Sequence, residues 1–390
     1  MRRKSLFRTL DRYIGIPILL LAVLFKKKRN PLPSAGGSLN RIMVIKFAAI
    51  GDSILLIPML RTLKKSLPSA EIVFLCSPIN ESIARKIPYV DKVIVSDVHS
   101  FLLNPVRILK FIFSLRKEKY DVIIDTEQWS RISAIICATM KFRYSVGFRT
   151  SGQYRHFMYD SAVNHSRTKH ELETFLDLLQ PIEIPVREDD YRPEYFLSEE
   201  NKRTAETFWT ENNLLKREVI CLHQGCGDNG KAREWELENY VKLGKRLIEY
   251  DDNIIILITG SSSEIPKCRY ISDGIGENII NTAGRFTLDE VVAIVERVKL
   301  IVCSNTGMLH LASCVDTKTM GLHGPTNPVK WGAYSKNTVL IQSDKYCSPC
   351  LYLGHDYGCS APSCMKHISV DDVFIHIRKA LNPEQFLRKC

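Results

Sequence analysis

The chain has 390 residues, 45% of them hydrophobic and 25% charged, with 54 Lys and Arg against 43 Asp and Glu for a net charge of +11. That composition excludes a disordered, collagen-like or multi-span membrane protein and leaves room for two domains, each with its own core. The positive excess points to nucleic acid or a membrane surface, and its position along the chain separates the two.

Nine of the first 30 residues are basic (Arg2, Arg3, Lys4, Arg8, Arg12, Lys26, Lys27, Lys28, Arg29) and one, Asp11, is acidic, so this end carries +8 and the other 360 residues only +3. Between the basic clusters runs a twelve-residue apolar stretch, 14–25. A spanning helix needs about 20 such residues. No small-residue cleavage site follows, so a signal peptide is disfavoured. We expect residues 1–38 to be a membrane-associating segment and linker, with apolar side chains at the acyl boundary and cations on anionic head groups. A helix docked on the next domain and a tilted single span are the alternatives. An anionic membrane surface is thus an expected partner and nucleic acid is not.

Residues 41–47 (Arg-Ile-Met-Val-Ile-Lys-Phe) read as a buried strand, followed by the small-residue turn 48–52 and a helix over 54–67 closed by Pro68. Strands are predicted again at 71–77, 92–95 and 121–125, with helices at 105–117 and 131–140. Beyond residue 163 the signal weakens, apart from a helix over 170–179. A second series begins with strands at 219–223, 253–259, 300–304 and 319–323, alternating with helices at 237–250, 288–298 and 308–314, before a last helix at 370–381. Such alternation predicts an α/β protein with two mainly parallel, doubly wound sheets. We place the first domain at 39–195, the second at 196–368 and a C-terminal helix and tail at 369–390. Ligands of such sheets sit beyond the carboxyl ends of the strands, which makes a cleft between the halves the expected site. Several of the twelve cysteines lie in apolar runs (Cys76, Cys221, Cys303), as thiols do in reducing compartments. The expected location is the cytoplasmic face of the membrane, peripheral or monotopic.

Four loops carry candidate chemistry. Ser304-Asn-Thr-Gly-Met-Leu-His310 joins a strand to a helix, so the N–H groups of Thr306, Gly307 and Met308 form an anion site, unless Thr306 only caps the helix and His310 only packs. In the glycine-rich loop 224–235, Lys231 and Arg233 can clamp phosphates, the alternative being an exposed basic turn. Glu264, after the next strand, suits ribose hydroxyls or a helix cap. Asp52 follows the first strand of the other half, as a functional carboxylate or an N-cap. Neither G-x-G-x-x-G nor the P-loop pattern follows the first strand, which lowers dehydrogenase and NTPase readings. Cys347, Cys350, Cys359 and Cys364 are candidates for a structural zinc or for plain reduced thiols.

Together these loops resemble glycosyltransferase family 9, the ADP-heptose:lipopolysaccharide heptosyltransferases. The resemblance runs from about residue 41 to 381 and rests on Gly51-Asp52-Ser-Ile-Leu-Leu-Ile-Pro58, Lys231-Ala-Arg-Glu-Trp235, Ser304-Asn-Thr-Gly-Met-Leu-His310 and Leu322-His-Gly-Pro-Thr-Asn-Pro-Val-Lys-Trp-Gly332. It implies a GT-B fold of two Rossmann-like domains, the acceptor on the first and an ADP-sugar on the second, and inversion at the anomeric carbon with no obligatory metal. Asp52 matches the family's catalytic base. Lys231, Arg233, Glu264, Asn305, Thr306, Gly307, Met308 and His310 become donor-binding candidates, and Lys46, Arg149 and Arg155 candidates for an anionic glycolipid acceptor. Two positions depart from the family's pattern: Arg233 stands where Lys is usual, and Asn305 where many members have Asp. A transferase using another nucleotide-sugar, and a catalytically degenerate membrane-bound scaffold, are the rival readings.

Overall fold

A computed structural model describes residues 11, 13–24, 39–98, 105–227, 230–353 and 363–382. The chain divides into two compact units at Arg192/Pro193. The first holds β1 (Arg41–Lys46), β2 (Glu71–Cys76), β3 (Lys92–Val95), β4 (Lys119–Asp125), β5 (Lys141–Arg149) and β6 (Ser161–Asn164). The second holds β7 (Glu218–His223), β8 (Ile254–Thr259), β9 (Ile279–Asn281), β10 (Leu300–Ser304), β11 (Thr319–His323) and β12 (Thr338–Gln342). Among the described residues every pairing in both sheets is parallel.

The strand orders are β3-β2-β1-β4-β5-β6 and β9-β8-β7-β10-β11-β12, the same doubly wound order twice. Each sheet therefore reverses direction once, between β1 and β4 in the first unit and between β7 and β10 in the second. Strands covered on both faces have to be apolar throughout, and the central β1 and β10 are buried almost end to end. This is the α/β architecture expected from the alternation, with the strand order of a GT-B half in each unit.

Some boundaries moved. The helix expected over 54–67 is two helices, Ile50–Leu55 and Ile57–Ser66, because the turn after β1 coils directly into helix. The terminal helix Val370–Leu381 is no separate segment. It buries Val373, Phe374 and Ile377 in the core of the second unit, and Trp235 joins the same cluster.

The apolar N-terminal stretch forms helix Gly15–Leu24, and this helix is docked. Asp11 is the reason. Its carboxylate accepts from Arg131 Nη1 at 3.0 Å and from the backbone N–H groups of Arg131 and Ile132 at 2.9 and 3.1 Å. It thereby caps helix Arg131–Thr139, whose own N-cap residue, Ser130, makes no side-chain cap bond. Gly15 permits the close approach, since a Cβ there would lie 3.0 Å from the Arg131 side chain. Leu19 completes the inner stripe at four-residue spacing and is buried. The basic clusters at Arg2, Arg3, Lys4, Arg8, Arg12 and 26–29 lie outside the described residues. Among the described residues no helix is long and apolar enough to cross a membrane.

Candidate active site

In the first unit the loops after β1 and β4 flank the point where strand order reverses, and there Asp52 meets Lys46, at the end of β1, and Gln128. Asp52 is not the N-cap; Ala49 holds that place and Asp52 lies within the first turn of helix Ile50–Leu55. Its Oδ2 accepts from Lys46 Nζ at 3.0 Å and from Gln128 Nε2 at 3.2 Å. Lys46 also donates to Gln128 Oε1 at 2.8 Å, and Gln128 Nε2 donates to Glu171 Oε1 at 2.8 Å. His165 Nε2 stands 3.0 Å from that same Glu171 oxygen. A chain of polar contacts thus runs from the half-buried Asp52 into the core.

Lys46 is fully buried, with its ammonium over the Phe175 ring. Burial alone would lower its pKa, but Asp52, Glu127 and Glu171 outweigh that cost and hold it above the ordinary lysine value. Glu127, also buried, is pushed up by desolvation against the pull of Lys46. It accepts from the N–H groups of Phe47 and Ala48 at 2.6 and 3.2 Å, which fixes the turn leading to Asp52.

Two acceptor candidates are corrected. Lys46 points inward to Asp52, so it presents the carboxylate and does not reach a ligand. Arg155 has no exposed surface. Its Nη2 donates to Asp125 Oδ2 at 2.8 Å, to Ser133 and to Tyr159, and its Nη1 to the Glu127 carbonyl. A guanidinium so enclosed locks the end of β4 instead of binding substrate. Arg149 is exposed at the end of β5.

In the second unit, too, the two flanking loops carry the predicted residues. Helix Gly307–Cys314 begins with Thr306 at its N-cap, but the side chain makes no cap bond. The Thr306 hydroxyl and Arg233 Nε are buried without a hydrogen-bond partner among the described residues. Arg233 Nη1 donates to the Asn305 carbonyl at 2.9 Å, while Asn305 Nδ2 donates to the Trp331 carbonyl. The β7 and β10 loops are thereby tied together beside the helix N-terminus. Trp235, two residues beyond Arg233, is buried and donates to the Ile368 carbonyl at 2.9 Å, anchoring the loop. Lys231 is exposed, and Met308 and His310 are buried. Glu264 caps its own turn, accepting from Ser261 N and Oγ at 2.8 and 2.7 Å. Its other oxygen faces Gly225, where a Cβ would come within 2.5 Å.

A sequence profile of glycosyltransferase family 9 (heptosyltransferase) matches residues 108–360. The chain belongs to glycosyltransferase family 9. It is 24% identical over 311 residues to lipopolysaccharide heptosyltransferase 3 of Escherichia coli K12, covering 76% of this chain and 86% of that protein. Its fold is that of solved GT-B members. The structure of E. coli ADP-heptose lps heptosyltransferase II superposes with TM-score 0.67 at 21% identity, over 88% of this chain and 99% of that one. E. coli heptosyltransferase WaaC with ADP superposes with TM-score 0.66 at 16% identity, over 87% and 99%.

The four family 9 motifs contain Asp52 but not Lys46, Gln128, Glu171 or His165. The signal for Gln128 is the way apolar β4 runs into Asp125-Thr-Glu-Gln128, a polar strand end beside that of β1. Among the described residues no group of three or more His, Cys, Asp or Glu side chains could hold a metal ion. Among the described residues Cys347, Cys350 and Cys364 are in no disulfide, and Cys359 lies outside the described residues.

His323, at the end of β11, is buried with its Nδ1 3.0 Å from Thr326 Oγ1. Burial and then the charge of Arg233 push its pKa down from 6.5 to about 3. The unfolded chain therefore binds a proton below pH 6.5 that the folded chain refuses, so stability falls as pH drops through that window. Between pH 7 and pH 5 this residue alone removes roughly 2 kcal/mol. Urea titrations at the two pH values should show a smaller acid loss in His323→Gln than in the wild type, and equal losses would refute the assignment.

Proposed function

We propose that this family 9 transferase moves a heptose, or a closely similar sugar, from an ADP-sugar to a hydroxyl of a lipopolysaccharide-core or related anionic glycolipid, with inversion. The observation that carries the reading lies in the second unit: a Thr306 hydroxyl without a partner among the described residues at a helix N-terminus, with Arg233 held beside it by Asn305. A helix N-terminus with a tethered guanidinium suits a diphosphate. The E. coli relatives named for ADP and ADP-heptose support that choice of nucleotide.

Asp52 Oδ is the general base. It takes the proton of the acceptor hydroxyl while that oxygen attacks C1 of the donor, and the bond from C1 to the diphosphate oxygen breaks with its electron pair leaving on ADP. Lys231, Arg233 and the N–H groups of Thr306, Gly307 and Met308 receive the growing negative charge. Lys46 and Gln128 hold Asp52 as an oriented carboxylate. Glu264 is the candidate for the nucleoside, and Arg149 for the acceptor's phosphates. The step as written draws on no metal ion. A peripheral position on the cytoplasmic face of the inner membrane suits a lipid-linked acceptor.

The test is transfer by purified protein, followed by mass spectrometry, with ADP-heptose, UDP-glucose or GDP-mannose against a panel of truncated core glycolipids. A heptose-sized mass increase from ADP-heptose alone is expected. Transfer from a UDP- or GDP-sugar would replace the donor, and no transfer together with no thermal shift by ADP would favour the scaffold.

A further inference from the structure

Helix Pro105–Arg116 of the first unit is apolar on its outer side as well as on its inner side. Phe111 and Leu115 pack inward, in the same cluster as Leu19 and Val23 of helix Gly15–Leu24 and Ala134 and Cys137 of helix Arg131–Thr139. The outward residues Val106, Leu109 and Phe113 follow at three- and four-residue spacing and are exposed, Phe113 by 64%. On helix Gly15–Leu24 the outward positions are likewise apolar: Ile14, Ile18, Leu21 and Leu24 are all exposed. Two helices whose inner sides share one cluster thus carry two apolar outer faces on the same side of the sheet. Scattered exposed apolar residues are normal, whereas two adjoining stripes mark a binding surface.

Charge identifies what covers it. Helix Pro105–Arg116 carries Arg107, Lys110 and Arg116 and no carboxylate. The N-terminal segment has nine cations, and its one acid, Asp11, is withdrawn into the Arg131 pair. A second copy of the chain docking here would bring two cationic faces together in an isologous contact. An anionic lipid surface supplies the opposite charge to the cations and an acyl boundary to the apolar stripes.

We infer that the first unit binds an anionic phospholipid bilayer through a two-helix platform, in which the exposed face of Pro105–Arg116 is a second contact beside the docked N-terminal helix. The inference rests on the glycolipid reading only for its purpose, which is to hold the acceptor-binding unit at the surface where such an acceptor lies. The docking by Asp11 means that the anchor is rigidly part of the domain and not a trailing arm.

Flotation of the full chain with acceptor-free vesicles tests it, using phosphatidylcholine alone or with about one-third phosphatidylglycerol. The wild type should partition onto the anionic vesicles only, and less in high salt. Leu109→Glu/Phe113→Glu should lower that partitioning at least about tenfold, with unchanged thermal unfolding and unchanged transfer to a short soluble acceptor. Should that variant misfold, Lys110→Glu/Arg116→Glu substitutes two exposed cations of the same helix and should give a loss of the same sign. Wild-type partitioning in a folded variant overturns the platform, as does a wild-type dimer that the substitutions convert to monomer. Because the vesicles hold neither donor nor acceptor, binding without heptose transfer would sink the function reading and leave the platform standing.

Discussion

Asp52→Asn lowers kcat by about 10²–10⁴ while ADP binding stays within about a factor of two of the wild type. The amide keeps the shape of the carboxylate and can still accept from Lys46, so the turn after β1 is undisturbed. What it cannot do is take a proton from an attacking hydroxyl. The proposed donor residues belong to the second unit, which the substitution does not touch, so the expected loss belongs to the chemical step. Steady-state transfer rates beside calorimetric ADP titration separate the two quantities. A variant with near-normal turnover would remove Asp52 as the base, and one with weakened ADP binding would reassign it to the donor.

Lys46→Met gives the second large effect, on stability and turnover together. Methionine matches the length of the lysine stem but leaves Asp52, Glu127 and Glu171 around one site without the cation that faces all three. Stranding buried carboxylates in this way costs about 3 kcal/mol. The pH dependence has a definite sign. Glu127 already has a raised pKa, and removing Lys46, which lowers it, raises it further. A carboxyl whose folded pKa exceeds its unfolded value destabilises the fold above that pKa and is relieved by protonation below it. The deficit should therefore be larger at pH 8 than at pH 5, as read by urea unfolding. A deficit independent of pH would mean that lost packing against Phe175, and not charge, is responsible. Turnover should fall as well, because Asp52 then keeps only Gln128 to orient it.

The Lys46 network also marks where reading by sequence stopped. Strands 92–95, 300–304 and 319–323 and helices 237–250 and 370–381 were legible to the residue. A buried parallel strand is an unbroken apolar run, and these helices keep a 3.6-residue apolar stripe. The missed β5 begins Lys-Phe-Arg-Tyr and directly follows helix Arg131–Thr139, so its alternation was lost beside the helix pattern. The docking of the N-terminal helix is not legible in the sequence, because one buried aspartate among nine cations leaves no periodic trace.

The sequence by itself determined the alternation of the two doubly wound series and the family, and it singled out loops 231–235 and 304–310. There the donor candidates are neighbours along the chain, and a strand end running into a helix start is a local property. Only the tertiary structure decided which of the candidate cations are buried and which are exposed. It turned Lys46 and Arg155 inward, and it joined Asp52 to Gln128, Glu171 and His165. The physical reason is parallel pairing. It sets Ile45 of β1 beside Asp125 of β4, eighty positions away, so the polar ends of those strands must satisfy one another or remain buried and unpaired.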